Sequence, residues 1–121
     1  MTNDTQLTVL ELEDMQFSPT AWLFEGKARA GVDISMFIVR TPPGRAIEMH
    51  VHPYPETFLL LEGHGRWTVG DHVTELDANQ MIVVPAETPH GLRNIGAQPL
   101  LVVSVHESGT VQQTFLGRDP A

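Results

Sequence analysis

Short apolar runs that end at proline or glycine occur along the whole chain, and this pattern predicts β-strands. The breaker cluster Thr41-Pro42-Pro43-Gly44 follows one of the longest runs, and Gly70-Asp71 is predicted to turn a tight hairpin. No segment carries a helical period over more than about three turns. The predicted strands are 7–10, 22–26, 32–40, 46–52, 57–61, 67–69, 73–76, 81–84, 91–94, 100–106 and a short final one at 111–116.

The number and spacing of these strands indicate the fold class. Turn signals recur roughly every 8–12 residues, as they do in β-sandwiches and barrels. The nearly uninterrupted apolar runs at 57–61 and 81–84 are predicted to be buried, the first of them on both faces. The sequence contains no internal repeat, linker or low-complexity segment. We therefore predict a single all-β domain over residues 1–121.

Composition and charge exclude several classes of function. Fifteen acidic residues against seven basic ones give a net charge of −8, which disfavours nucleic acid and anionic membrane surfaces. The absence of cysteine excludes disulfides and thiolate metal sites. The N-terminus is acidic and lacks the features of a secretion signal, and no apolar run approaches the roughly 20 residues that span a bilayer. A cytoplasmic protein that binds a small molecule is the expectation.

Three histidines and one glutamate lie at spacings that fit one enclosed metal site. His50 and His52 alternate on a predicted strand, so their side chains point the same way. Glu56 opens the next apolar run, and His90 stands at the start of a later strand. Three imidazole nitrogens and a carboxylate oxygen suit one divalent transition metal ion, whether Fe, Mn, Ni, Co, Cu or Zn. Such a donor set leaves coordination positions for water, dioxygen or substrate.

Each of these residues has an ordinary explanation when it is taken alone. A single His-X-His pair is weak evidence of a metal, Glu56 could be a surface carboxylate, and His90 could be a loop histidine. The combination of an acid and three imidazoles at the starts of elements favours the metal site. A closed tetrahedral zinc site would be structural, whereas an open five- or six-coordinate site would be catalytic.

The spacing of these residues resembles the first motif of the cupin superfamily, which has the form G-x5-H-x-H-x3-4-E-x6-G. In this chain the motif runs from Gly44 through His50, His52 and Glu56 to Gly63, with every spacing satisfied.

The second cupin motif, G-x5-P-x-G-x2-H-x3-N, is matched less completely. Pro85, His90 and Asn94 fall in register, but Asn79 and Glu87 replace the two glycines. Asparagine tolerates a positive φ better than most residues, whereas a glutamate there would be strained. A local turn that differs from that of the family would avoid this strain, and we interpret Glu87 as a strain-free surface carboxylate in preference to a substrate contact.

The resemblance implies the fold, the site and the assembly. The fold would be a small jelly-roll (double-stranded β-helix) barrel, with one metal ion in its lumen. The ligands carried over from the motifs are His50, His52, Glu56 and His90. Small cupins often pack against a second subunit or exchange strands with it, so a homodimer is also implied.

His106 is a further candidate for chemistry, because it shares one face of the last long strand with Ser104. We predict that His106 points into the lumen as a base or substrate contact; a core or rim histidine bonded to the backbone is the equal alternative. Glu56 is the second catalytic candidate, since it could act as a base.

Other polar residues are expected to be peripheral. Glu48 lies on the same predicted strand face as His50, but we expect it to be an exposed residue at the strand end. His64 and His72 are predicted to be solvated. Arg40, Arg45 and Arg66 could bind an anion, but no pattern places them inside. The candidates for an apolar lining are Phe37, Val39, Phe58, Leu60 and Leu92.

Three functions fit this sequence, because a fold does not fix the chemistry. The favoured hypothesis is a metal-dependent oxygenase acting on a small organic molecule. A metal-dependent isomerase, lyase or cyclase would use the ion as a Lewis acid and His106 as a base. A sensing or binding module without catalysis is the third.

Overall fold

The computed structural model describes residues 7–121, and nearly all of their regular structure is β. A 3-10 helix at Leu12–Met15 and a helix α1 at Gly26–Ala30 are the helical elements of this part of the chain. The strands are β1 Gln16–Ser18, β2 Ala21–Glu25, β3 Ser35–Thr41, β4 Ala46–Val51, β5 Glu56–Glu62, β6 His64–Val69, β7 His72–Asp77, β8 Met81–Val84, β9 His90–Asn94, β10 Leu100–His106 and β11 Thr114–Phe115.

Two antiparallel sheets build the predicted jelly-roll β-barrel. The larger sheet has the strand order β1-β2-β3-β10-β5-β8, and the smaller one has the order β11-β4-β9-β6-β7. Strands that are distant in sequence therefore lie side by side: β10 pairs with β3 and β5, and β9 pairs with β4 and β6. No helix among residues 7–121 has the length and apolarity that crossing a membrane requires.

Most predicted strands are confirmed, with shifted ends. Gly26 begins α1 instead of closing β2, and β3 begins at Ser35 rather than at Val32. The hairpin predicted at Gly70-Asp71 joins β6 to β7. The short helix was missed because five residues are too few to show a helical period.

The strand predicted at 7–10 is wrong. These residues have no regular structure, and the side chains of Leu7 and Val9 are 89% and 87% exposed. An apolar run becomes a strand only when another strand is available to pair with it, and among the described residues the larger sheet ends at β1.

The burial predicted for the two apolar runs holds on one face only. In β8, Val84 is fully buried, whereas Met81 and Val83 are 61% and 63% exposed. Along β5, Phe58 and Leu60 are buried and Leu61 is 39% exposed. An apolar run does not reveal which of its faces is covered, and here the outer face of the larger sheet is left open.

The interior of the barrel is apolar at one end and polar at the other. Along β10, Leu100 and Val102 belong to the apolar core, and the next two inward-facing residues are Ser104 and His106. The core cluster consists of Phe58, Leu60, Trp67, Leu76, Val84, Leu92, Leu100 and Val102. This division leaves the polar end free for the candidate site.

Glu87 adopts a left-handed conformation, so the strain-free turn that we favoured for it is wrong. Its φ is +63°, and that of Asn79 is +72°. The backbone N–H of Glu87 donates to the carbonyl oxygen of His52 at 2.9 Å, so this turn also braces the segment that carries a candidate ligand. The Glu87 side chain is exposed, as predicted.

Replacing Glu87 with glycine should stabilise the protein. Left-handed backbone costs an L-residue about 1–2 kcal/mol, and part of this gain is lost to the greater freedom of glycine in the unfolded chain. We expect Glu87→Gly to raise the free energy of unfolding in urea by up to about 1 kcal/mol. Glu87→Ala, which removes the same carboxylate but keeps the strain, is the control. A rise as large for alanine as for glycine would contradict this explanation.

Candidate metal centre

Strands of both sheets contribute to one buried cluster of polar side chains. His50 and His90 are direct partners across β4 and β9, His52 follows the end of β4, and Glu56 opens β5. Their exposed fractions are 4%, 0%, 3% and 3%, in that order. One potential ligand atom from each lies within 4.8 Å of the other three. The structure thus brings together the four residues that the sequence singled out.

Backbone carbonyl groups fix the orientation of all three imidazoles. Each Nδ1 lies within hydrogen-bonding distance of a carbonyl oxygen, so each Nδ1 carries the proton and donates it. The pairs are His50 with Glu48 at 2.8 Å, His52 with Tyr54 at 2.6 Å and His90 with Thr88 at 2.8 Å. Hydrogen bonds of this kind leave Nε2 as the metal-binding nitrogen.

The three Nε2 atoms converge on one oxygen of Glu56. Oε1 lies 2.8 Å from Nε2 of His52, 3.0 Å from that of His90 and 3.9 Å from that of His50. With Nδ1 protonated, a neutral imidazole presents a lone pair at Nε2. Lone pairs facing a carboxylate at these distances repel each other unless protons or a cation lie between them. A single divalent cation would bind all four donors and remove this repulsion, so the group fits a divalent transition metal.

Glu56 is ionised in spite of its burial. Burial by itself raises the pKa of a carboxyl group, but hydrogen bonds from His106 and from the three other imidazoles, which those three can donate only when Nε2 also carries a proton, outweigh it. Together they hold the pKa of Glu56 far below its ordinary value. The carboxylate therefore supplies one negative charge to offset a divalent ion.

His106 stands beside this group and contacts the second oxygen of Glu56. The two residues are partners across β10 and β5, and Nε2 of His106 lies 3.0 Å from Oε2 of Glu56. The side chain is 1% exposed. His106 thus points inward as predicted, and its partners are side chains rather than the backbone.

Tyr54 completes this arrangement, and the sequence analysis did not identify it. Its hydroxyl lies 2.7 Å from Nδ1 of His106 and accepts the backbone N–H of Gln112 at 3.1 Å. Its ring stacks on that of His52, with centroids 4.5 Å apart. Burial raises the pKa of Tyr54, although the Gln112 N–H acts in the opposite direction. The phenol is therefore neutral and donates to His106, which leaves the His106 proton on Nε2 to be donated to Glu56.

A cavity of about 260 Å³ opens beside the cluster. His50, Glu56 and His106 form its polar end, and Ser104 lies along the same wall. Four of the five residues predicted as apolar lining do line it, whereas Leu60 belongs to the core instead. The apolar side chains of the wall are Phe17, Ala21, Phe37, Val39, Ile47, Phe58, Leu92, Val102 and Phe115.

The remaining polar candidates lie away from the cavity. Glu48 accepts the backbone N–H of Gly117 at 2.8 Å and so ties down the C-terminal segment. His72 is exposed, as predicted. The His64 side chain is 38% exposed, in line with the prediction, and contacts Asp77 at 2.7 Å and Glu75 at 3.1 Å.

Similarity to known proteins agrees with this architecture. The family model described as the cupin domain matches residues 37–106, which is more than half of the chain and contains all four residues of the group. The chain is a cupin. The jelly-roll barrel expected from the motifs is thereby confirmed.

The characterised relatives of this cupin carry out different reactions. It is 30% identical over 80 residues to a dimethylsulfoniopropionate lyase of Ruegeria pomeroyi, covering 64% of this chain and 53% of the lyase. It is 31% identical over 86 residues to mannose-1-phosphate guanylyltransferase 2 of Escherichia coli, covering 71% of this chain but 17% of that protein. An uncharacterised protein of Methanocaldococcus jannaschii is 32% identical over 74 residues, which cover 60% of this chain and 59% of that protein. This cupin thus spans less than two thirds of each of these relatives.

Solved oxalate decarboxylases share its fold. The Lactobacillus farciminis enzyme in complex with formate superposes with a TM-score of 0.77 at 25% identity, over 86% of this chain and 34% of the enzyme. The Bacillus subtilis enzyme, which has Mn(II) centres, gives 0.77 at 22% identity, over 87% of this chain and 31% of the enzyme. Manganese is thus among the divalent metals found in proteins of this fold.

Removal of one imidazole should release the ion. We expect metal-reconstituted wild-type protein to hold one divalent ion per chain, and His52→Ala to lose it, because the affinity depends on all four donors. Elemental analysis after gel filtration measures the content. His72→Ala removes an exposed histidine of β7 and should leave the content unchanged. Retention of a full complement by His52→Ala would contradict the assignment.

Proposed function

We propose that residues 1–121 form one cupin domain that acts as an oxygenase-type enzyme on a small organic substrate. His50, His52, Glu56 and His90 would hold one divalent transition metal ion. The observation that carries this proposal is the position of the group, since His50 and Glu56 line an apolar cavity. A four-residue donor set leaves positions free on a five- or six-coordinate ion, which would supply Lewis acidity and a place for the reactants.

The apolar wall of the cavity favours oxygen chemistry. Dioxygen is itself apolar and partitions into apolar surroundings, and a dry cavity protects reactive species from water. Nine apolar residues line the cavity around its polar side chains. The residues of this chain would thus bind an apolar substrate and exclude water.

Glu56 and His106 are proposed as the groups that handle protons. The Nε2 proton of His106 is donated to Oε2 of Glu56, and the Tyr54 hydroxyl holds the other ring nitrogen. A proton taken from the substrate would stay on the Glu56 carboxyl group, and the Nε2–H of His106 would hold that group in place. Both residues line the cavity, which places them within reach of a substrate.

The same chain of hydrogen bonds also supports a lyase or isomerase, as the second candidate. Proton abstraction without a redox change needs a base next to a Lewis acid, and the Glu56–His106–Tyr54 chain provides one. A lyase and several decarboxylases are among the similar proteins. Dependence on oxygen separates the two reaction classes.

Oxygen uptake by the iron- or manganese-loaded protein tests the proposal on a panel of enols and catechols. We expect uptake matched to substrate loss, and none under nitrogen. His106→Ala should lower turnover by roughly 10²–10⁴-fold, the usual contribution of a general acid–base. Its metal content should equal that of the wild type. Substrate loss without oxygen would favour the lyase or isomerase, and no turnover with any metal would favour a binding module.

A homodimer is proposed from the outer face of the larger sheet. Val103 on β10 lies between Ile38 on β3 and Leu59 on β5, and Met81 and Val83 extend this apolar surface along β8. A monomer rarely leaves so continuous an apolar surface open. A second copy offers the same surface, so two sheets can pack face to face about a two-fold axis.

Val103→Glu should dissociate this dimer. A carboxylate at the centre of the surface would be buried without a partner in the dimer but hydrated in the monomer. Light scattering after size exclusion should give twice the chain mass for the wild type and the chain mass for the variant. Val73→Glu, at a 54% exposed position on β7, is the matched control and should stay dimeric. A monomeric wild type would rule out the dimer.

A further inference from the structure

The positive side chains of this chain all lie outside the cavity. The sequence contains seven lysines and arginines, every one of them within residues 7–121. None of them lines the cavity. Arg40 is paired with Glu62 at 3.6 Å, Arg66 with Glu75 at 3.7 Å, and Arg45 is exposed. The anion-binding role considered for these arginines therefore has no support at this site.

The charge of the site then limits the charge of its ligand. A divalent ion held beside the Glu56 carboxylate leaves a net charge of +1 in a buried region. A ligand with one negative charge brings this region to neutrality. A dianion would leave one negative charge uncompensated, and a buried charge without a partner is strongly unfavourable.

The shape of the cavity limits the size and character of the ligand. Its volume is about 260 Å³. An apolar cavity of about 150 Å³ takes up benzene, so this one has room for a single ring with small substituents. The residues around it also favour a planar group, since three phenylalanine rings lie against imidazoles. The centroid distances are 5.0 Å for Phe37 to His106, 5.4 Å for Phe115 to His50 and 5.8 Å for Phe58 to His90.

We propose, on the basis of the metal-dependent function above, that the cavity selects a compact ring compound with one metal-binding group of at most one negative charge. Cyclic enols, phenols and aromatic monocarboxylates belong to this class, whereas dicarboxylates and phosphate monoesters are rejected. Substrates such as oxalate or a sugar phosphate, which the names of the similar proteins suggest, are therefore excluded for this chain. The metal-binding group would face His50 and Glu56, and the ring would lie among the phenylalanines.

Ligand binding to the Co(II)-loaded protein tests the proposal without a need for turnover. Titrations followed by the visible absorption of Co(II) would compare benzoate with acetate, which lacks the ring. They would also compare benzoate with phenyl phosphate, which keeps the ring and carries close to two negative charges at pH 8. We expect benzoate to bind at least about tenfold more tightly than either. Phenyl phosphate or acetate binding as tightly as benzoate, or no binding of benzoate at millimolar concentration, would overturn the proposal.

A charge placed in the wall should reverse the preference. Ile47 lines the cavity and is only partly buried, so Ile47→Arg can supply the missing cation. We expect it to strengthen phenyl phosphate binding relative to benzoate by about tenfold or more. Val73→Arg makes the same change in charge on an exposed strand position and should leave both affinities unchanged. An equal effect of the two variants would mean that the overall charge of the protein, rather than the cavity, sets the preference.

The outcomes separate this proposal from the proposed function. Failure of the wild type to bind Co(II) at all would overturn both. Binding of Co(II) with a preference for dianions would overturn the substrate class alone and leave a metal-dependent enzyme. Tight benzoate binding by a protein without turnover on any substrate would support the substrate class and overturn the catalytic role.

Discussion

The fold is organised around one buried carboxylate, that of Glu56, which four imidazoles surround. Three of these rings donate Nδ1–H to backbone carbonyl groups, so their Nε2 lone pairs face the carboxylate. A carboxylate that is only 3% exposed and faces three imidazole lone pairs is costly to bury unless a cation binds these donors. The structure therefore behaves as a scaffold that is completed by a metal ion. The polar side chains that would surround the ion lie at one end of the barrel, and the apolar core occupies the other end.

Strand pairing supplies the precision that the site needs. His50 opposes His90 across β4 and β9, and Glu56 opposes His106 across β5 and β10. A slip of one residue in either pair would turn its side chains away from the cluster. The turn at Glu87 adds a further constraint, since its N–H holds the carbonyl oxygen of His52. The strained turn therefore helps to hold the segment between β4 and β5, which carries His52 and leads to Glu56.

The four metal-binding residues and the positions of most strands could be predicted from the sequence because both depend on local pattern. Alternation places His50 and His52 on one side, and prolines and glycines end most strands near their observed limits. Tyr54 was not predicted because its role depends on a contact with His106, 52 residues away, and local spacing does not predict such a contact. The exposed face of Met81 and Val83 was missed for a related reason: an apolar run does not say whether a partner covers it. Likewise, residues 7–10 have the composition of a strand, but among the described residues no neighbouring strand is available for them to pair with.

X-ray absorption spectroscopy of the manganese- or cobalt-loaded protein tests the central claim most directly. The fine structure should show oxygen and nitrogen neighbours at about 2.0–2.2 Å, with the outer-shell scattering of three imidazoles. His90→Ala should reduce this to two imidazoles, whereas His64→Ala should leave three. A wild-type spectrum with one imidazole or none would show that the ion binds elsewhere, and would contradict the account.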